Sequence, residues 1–189
     1  RLRRHLITFD DERDGPALPV AAGVLMFVYT YIVLGMGKGA LYEIIAVRAL
    51  GATRAEVVET IRLAALQGGP RGINALAEVA DGYLRAWTED DDLDARPWPD
   101  HWQPAPERFR SGIDLSSDEL LPGELGLIRD WYREMFGEVP AHLDLLAQVA
   151  PRALKTQRAR FETSARGPLP AQMIPLLALH LSAVQLWPK

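Results

Sequence analysis

The apolar and polar positions of the chain predict helices, and the most apolar stretch runs from Val20 to Leu34 without a charged residue. A helix that is apolar on every side lies in a protein core or in a membrane. A membrane span needs about 20 mostly apolar residues, whereas Pro16 and Pro19 precede this stretch and Gly35 ends it. Neither flank forms a polybasic anchor. We therefore predict a buried helix at the centre of a helical domain, and not a membrane span.

The residues after this stretch predict two helices joined by a capped turn. Residues 38–50 are predicted to form a helix that ends at Gly51, since glycine favours the left-handed conformation of a C-terminal cap. Thr53 and Glu56 have the spacing of a capping box, in which each side chain accepts a hydrogen bond from the backbone N–H of the other residue. These signals describe the fold and imply no catalytic role.

The helix that begins at this capping box is predicted to bury one apolar face and to stop at Gly68-Gly69-Pro70. Another helix is expected over residues 73–87. The face predicted to be buried carries Val57, Val58, Ile61, Ala64 and Ala65.

Residues 88–118 have a different composition, with an acidic run at residues 89–92 followed by four prolines interleaved with Trp98 and Trp102. The prolines exclude a regular helix, and indole rings are costly to leave in water. We predict an ordered strap that lies over the helices. The acidic run suits a hard cation by its oxygen ligands, but it lacks the spacing of a calcium loop and is interpreted as a solvated charge run.

Helical periodicity resumes at residue 119, and the chain contains an internal similarity. The phrase that begins Leu18-Pro19 can be aligned with the one that begins Leu169-Pro170, and an apolar helix follows each. The alternative is chance similarity between two apolar helices. The predicted fold class is all-α, a bundle with two partial, repeat-related helical units. The predicted organisation is a first unit at residues 1–87, the strap at 88–118 and a second unit at 119–189, within one compact domain.

Composition excludes several classes of function. The 189 residues carry a net charge of −4 and include no cysteine. The acidic balance argues against a nucleic-acid partner. The missing thiols exclude disulfides, thiolate catalysis and cysteine-ligated metals. We expect a cytoplasmic protein.

The phrase Arg48-Ala-Leu-Gly-Ala-Thr-Arg-Ala-Glu56 resembles the signature turn of the carboxymuconolactone decarboxylase and alkylhydroperoxidase-D-like family. The phrase Phe136-Gly-Glu-Val-Pro140 also resembles that family, whose units commonly open in this way. Redox members carry Cys-x-x-Cys-x-x-x-His before the turn. In this chain Met36 and Gly39 occupy the two cysteine positions and Glu43 occupies the histidine position, so dithiol peroxidase chemistry is excluded.

The resemblance then implies the non-redox branch of the family. Its enzymes move a proton while a carboxylate leaves, and they need neither a thiol nor a metal. Glu43 is the candidate acid–base residue, because it lies among apolar residues that raise the pKa of a carboxyl group. Tyr42 is the candidate donor to a developing oxyanion, and Lys38 the candidate anchor for a substrate carboxylate. Arg48 is a second cation, on another face of the helix, and a further candidate for substrate binding. The alternative is a Glu43 that is exposed or ion-paired.

His180 lies in the second apolar helix, and its repeat partner is Tyr29. We predict that Tyr29, Glu43 and His180 converge between the two pseudo-equivalent helices, Tyr29 as a substrate-binding group and His180 as a catalytic one. The alternative for His180 is a hydrogen-bonded core residue. The remaining histidines, His5, His101 and His142, have no metal-ligand spacing, so no metal centre is expected.

Two functional hypotheses follow. The preferred one is a cofactor-free lyase, isomerase or hydrolase acting on a small organic acid or lactone. The alternative is a degenerate family member that acts as a structural or binding protein. The family resemblance and the partial units, whose apolar faces need cover, predict a homo-oligomer that is at least a dimer.

Overall fold

The computed structural model describes residues 18–92 and 95–186, and these ranges contain seven α-helices and no β-strand. The predicted all-α fold class is confirmed. In chain order the helices are α1 (Val20–Val33), α2 (Gly37–Ala49), α3 (Arg54–Ala86), α4 (Glu124–Phe136), α5 (His142–Val149), α6 (Pro151–Ser164) and α7 (Met173–Leu186). Two short 3-10 helices lie at Glu89–Asp91 and Pro106–Phe109.

The chain divides into two compact units at boundaries other than those predicted. One, called the core unit here, comprises residues 1–104 and 167–189, and the other, called the inserted unit, comprises residues 105–166. The predicted strap therefore belongs to both units, because Trp98 and Trp102 lie before the boundary at residue 104 and Pro106 lies after it. Helix α7 belongs to the core unit although it is the last helix in the chain.

Helix α1 is the centre of the core unit and contacts α2, α3 and α7. Leu25, Val28 and Ile32 are completely buried on it. Its 14 residues extend over about 21 Å at the usual rise per residue, less than the roughly 30 Å of a bilayer core. Among the residues described, no helix combines the length and the apolar character that crossing a membrane requires.

The turn between α2 and α3 has the predicted caps. Gly51 adopts a positive φ of 88°, and its backbone N–H donates to the Arg48 carbonyl at 2.9 Å while that of Ala52 donates to Val47 at 3.1 Å. This pair of bonds is a Schellman motif. The Thr53 hydroxyl accepts from the Glu56 backbone N–H at 3.2 Å, and a Glu56 carboxylate oxygen accepts from the Thr53 N–H at 2.6 Å. Both local predictions are confirmed.

Helix α3 differs from its prediction in two respects. Gly69 has non-helical angles (φ 59°, ψ −159°), which places the interruption where it was predicted, but the helix resumes directly at Pro70 and not at Ile73. The buried face is also rotated, because Val58, Ile61 and Ala65 are only half-buried. The residues that α3 buries before the kink are Glu56, Val57, Glu59, Thr60, Leu63 and Ala64.

The inserted unit has its own small core, formed by Ile113, Ile128, Leu143 and Leu154. Two buried ion pairs accompany it: Lys155 Nζ donates to a Glu124 carboxylate oxygen, and Arg158 Nε donates to Glu162 at 2.8 Å. Helix α6 supplies both cations. Buried charges are tolerated only when paired and hydrogen-bonded, so these pairs fix how α6 packs within this unit.

Candidate functional site

The turn from α1 to α2 carries Met36 and Gly39, the two positions that the sequence resemblance aligns with cysteines. The Met36 side chain is 51% exposed at the start of α2. Gly39 packs against the ring of Tyr31, so that a Cβ atom at this position would lie 3.1 Å from Tyr31 Cδ2. A side chain at position 39 would therefore press against the Tyr31 ring.

Glu43 lies on the inner face of α2 and is only 3% exposed. The residues that share this face, Ala40, Ile44 and Val47, are completely buried. A carboxylate in such surroundings costs free energy unless it is hydrogen-bonded or paired. The structure therefore places the predicted acid–base residue in a water-poor setting, and not at the surface.

Lys38 and Tyr42 lie on the outer face of α2, one helical turn apart. Both are exposed, Tyr42 by 59%. Consecutive residues on a helix point about 100° apart, so Tyr42 and Glu43 project towards different surroundings. A substrate held by Lys38 at the beginning of α2 would also experience the positive end of the helix dipole.

Tyr29 is buried on α1, and its hydroxyl donates a 3.1 Å hydrogen bond to the side-chain carbonyl of Gln67 on α3. Burial raises the pKa of Tyr29 to about 12. Its hydroxyl is therefore protonated at neutral pH. The polar end of Tyr29 joins α1 to α3.

His180 faces α1 from α7. Its Nδ1 atom lies 2.8 Å from the Thr30 hydroxyl, and its ring meets the Phe27 ring edge-on at 5.0 Å. Burial lowers the pKa of His180, so the imidazole is neutral at pH 7. His180 is therefore a half-buried, hydrogen-bonded residue between α7 and α1, and its catalytic role stays a prediction. Thr30 and Tyr29 are neighbours in the sequence, but their hydroxyl groups bond to different helices. Thr30 contacts α7 through His180, whereas Tyr29 contacts α3 through Gln67.

Arg48 lines a cavity of about 390 Å³ at the end of α2. Its guanidinium donates to the Tyr83 hydroxyl at 3.4 Å, lies 3.8 Å from the Asp91 carboxylate and stands 4.7 Å from the Trp87 ring centroid. The full lining is Ile45, Arg48, Ala49, Gly51, Ala52, Tyr83, Asp91, Asp92 and Ala95. Tyr29, Glu43 and His180 are not among these residues.

The electrostatics of this cavity do not favour an organic anion. Two carboxylates, Asp91 and Asp92, accompany one guanidinium. Hydrogen bonds from Thr88 lower the pKa of Asp91, which is therefore charged at neutral pH. Glu43 and Arg48 are separated by about 140° around the α2 axis. Arg48 thus stabilises the acidic segment against the helices and does not share a site with Glu43.

Sequence reasoning missed the burial of two carboxylates on α3, those of Glu56, which was predicted only as a capping residue, and of Glu59. Glu56 accepts a hydrogen bond from the Trp98 indole N–H in addition to its capping bond. Glu59 is 1% exposed and accepts from the backbone N–H groups of Gly167 and Leu169, each at 2.8 Å. The available signal was their spacing, which places both on the same face as Leu63. Their long-range donors lie 42 residues from Glu56 and more than 100 residues from Glu59, so they cannot be recognised locally.

No group of three or more histidine and acidic side chains in residues 18–92 and 95–186 is placed to hold a metal ion. A comparison of the chain with protein-family models, with curated proteins and with solved structures found no match. The class defined by the observations is an all-helical protein with a capped α2–α3 turn and one buried carboxyl on α2.

Proposed function

We propose that this protein is a non-redox, cofactor-free acid–base enzyme of the carboxymuconolactone decarboxylase-like kind, acting on a small organic acid or lactone. The observation that carries the proposal is the burial of Glu43, which is 3% exposed on a face otherwise formed by aliphatic residues. A buried carboxyl group held in one position can transfer a proton to or from a bound substrate.

The other residues of α2 are assigned by their exposure. Lys38 and Tyr42 are exposed on the outer face of α2, and Lys38 is about 140° from Glu43 around the helix axis, so the acid–base step is assigned to Glu43 alone. Tyr29 and His180 position α1 against α3 and α7, and they contribute through the packing of the site. Arg48 serves the acidic segment that follows α3.

A Glu43→Gln variant tests this proposal. The wild-type chain and the variant are assayed with a panel of small lactones and of unsaturated and β-keto acids, with carbon dioxide release and lactone opening as readouts. Loss of a general acid–base group lowers turnover by about 100-fold or more. The matched control is Glu78→Gln, since Glu78 is exposed on α3. Unchanged turnover in Glu43→Gln would remove Glu43 from the catalytic role.

A second candidate is a binding or structural protein that has lost catalysis. The observation in its favour is that the polar ends of Tyr29, His180 and Arg48 are all engaged by groups of the same chain. Calorimetry with the same panel distinguishes the two candidates. Saturable binding without turnover by the wild-type chain supports the second, whereas turnover that depends on Glu43 rejects it.

We further propose that the chain forms at least a dimer through the outer face of α2. Tyr42 and Ile45 are 59% and 46% exposed and lie about one turn apart on it. Light scattering at micromolar concentration tests this assembly. A monomer under these conditions would contradict it, and so would an Ile45→Glu variant that leaves the mass of a dimer unchanged.

A further inference from the structure

The inserted unit contains a cavity of about 180 Å³ that the proposed function does not use. Three core residues, Ile128, Leu143 and Leu154, form its floor and are at most 2% exposed. Its walls and rim come from α4, α5 and α6. The lining residues besides the floor are Trp131, Tyr132, Phe136, His142, Gln157, Arg158 and Phe161.

The walls are aromatic, and their rings have mixed orientations. The Trp131 ring centroid lies 5.7 Å from that of Phe136 and 5.9 Å from that of Phe161, with interplanar angles of 75° and 63°. Tyr132 lies 5.8 Å from Phe136 at a shallower angle of 35°. The cavity is therefore surrounded by ring edges and ring faces, which pair most favourably with another aromatic ring.

The mouth of the cavity exposes an aromatic side chain together with polar groups. Phe136 is 57% exposed although it contacts Trp131 and Tyr132. His142 and Gln157, which are also exposed, stand at the same rim. A ligand that covered Phe136 would remove apolar surface from water, and its polar end would find hydrogen-bonding groups at the rim.

The one charged wall residue is already neutralised. The Arg158 guanidinium stacks 3.6 Å from the Trp131 ring centroid, donates to the Glu162 carboxylate at 2.8 Å and also donates to the Phe109 carbonyl. A carboxylate ligand would compete with Glu162 for this cation, and an ammonium ligand would be repelled by it. The cavity therefore favours a neutral ligand.

The volume limits the size of that ligand. An apolar cavity of about 150 Å³ accommodates benzene, and drug-sized ligands need about 300 Å³ or more. A volume near 180 Å³ accepts one ring with small substituents. We propose that this cavity is a binding site for a neutral single-ring aromatic compound, its apolar end on Leu143 and Leu154 and a polar substituent at the rim beside Gln157 and His142.

The probe is p-cresol, whose methyl and hydroxyl groups match the two ends of the cavity. Titration of the full chain is followed by the methyl resonances of Ile128, Leu143 and Leu154. The expected dissociation constant is on the order of 1 mM for a ligand of this size. Binding of 4-methylcyclohexanol should be about threefold to tenfold weaker because it lacks a ring that can pair with the aromatic walls. The anion 4-methylbenzoate should not shift these resonances.

Two alanine variants at exposed positions distinguish binding of p-cresol in the cavity from nonspecific binding at the surface. Phe136→Ala should weaken p-cresol binding about threefold to tenfold, whereas Leu145→Ala should leave it unchanged. Leu145 is 59% exposed on α5 and does not line the cavity. Both positions are exposed, so both variants are expected to fold, and circular dichroism checks this.

Absence of shifts at the three floor residues would overturn the proposal. Equal weakening by Phe136→Ala and Leu145→Ala would do so too, as would binding of 4-methylcyclohexanol as tight as that of p-cresol. None of these outcomes bears on catalysis by Glu43, because the cavity lies wholly within residues 105–166.

Discussion

Glu59 and Leu169 are 110 positions apart in the chain and are joined by a 2.8 Å hydrogen bond from the Leu169 backbone N–H to Glu59 Oε2. The other carboxylate oxygen of Glu59 accepts from the backbone N–H of Gly167, also at 2.8 Å. One buried side chain on α3 thereby fixes the segment that leads into α7. A Cβ atom at position 167 would collide with this carboxylate.

The first prediction concerns the pH dependence of Glu59→Gln. Burial raises the pKa of Glu59 above 4.5, and the two backbone N–H donors oppose this shift without cancelling it. A carboxyl group with a raised folded-state pKa contributes stability that is fully present below the unfolded pKa and is lost as pH rises through the folded pKa. Glutamine resembles the protonated carboxyl group and does not titrate. The variant should therefore gain stability relative to wild type as pH rises.

Urea unfolding of both proteins at about pH 5 and about pH 8 measures this difference. The control is Glu78→Gln on the exposed side of α3. The difference in stability between this variant and wild type should hardly change with pH. If Glu59→Gln instead lost stability relative to wild type at the higher pH, the backbone donors would outweigh burial, and the assigned direction of the pKa shift would be wrong.

The second prediction compares two glycines of α3. A Cβ atom at Gly72 would collide with the backbone carbonyl of Ile32 on α1, whereas nothing lies within 4 Å of such an atom at Gly82. Gly72→Ala should lower the free energy of unfolding by about 2 kcal/mol because the helices must separate. Gly82→Ala should raise it by about 0.5–1 kcal/mol, the helix-propensity difference. Thermal or urea unfolding measures both, and equal effects would show that α1 and α3 do not approach so closely.

The third prediction tests the buried cation of the inserted unit. Arg158→Met leaves the Glu162 carboxylate buried and, within the part of the chain that the structure describes, hydrogen-bonded to the backbone N–H and hydroxyl of Ser111 but to no cation. Removing one partner of a buried ion pair costs about 3 kcal/mol or more. Arg160→Met on the same helix changes an exposed arginine and should cost less than about 0.5 kcal/mol. Similar stabilities of the two variants in urea unfolding would refute the structural role of Arg158.

Local chemistry explains which parts of the fold can be predicted. Gly51, Thr53 and Glu56 determine the turn between α2 and α3 through bonds that extend over at most five residues, so the sequence pattern was sufficient there. The rotated face of α3 could not be predicted because Glu59 is buried by donors at residues 167 and 169. The apolar pattern contains no signal that a carboxyl group at position 59 is buried.

The candidate site was predictable to the extent that it lies on one helix. The spacing of Lys38, Tyr42 and Glu43 on α2 determines their relative directions, and the burial of Glu43 agrees with its apolar neighbours. The surroundings of Tyr29 and His180 depend on Gln67 and Thr30, which belong to other helices. The aromatic cavity forms only where α4, α5 and α6 pack together. The apolar periodicity of α4 predicts one wall of the cavity and gives no information about the other two helices.

The discontinuity of the core unit has a consequence for the order of folding. During synthesis, α1, α2 and α3 leave the ribosome first, but the face of α1 that includes Thr30 and meets His180 stays uncovered until α7 follows. Residues 105–166 form a contiguous unit whose internal contacts are all available earlier. Chains are made at roughly 5–20 residues per second, so the 140 residues from Val33 to Met173 take roughly 7–28 seconds. During this interval the nascent chain exposes apolar surface of α1 that a chaperone can bind.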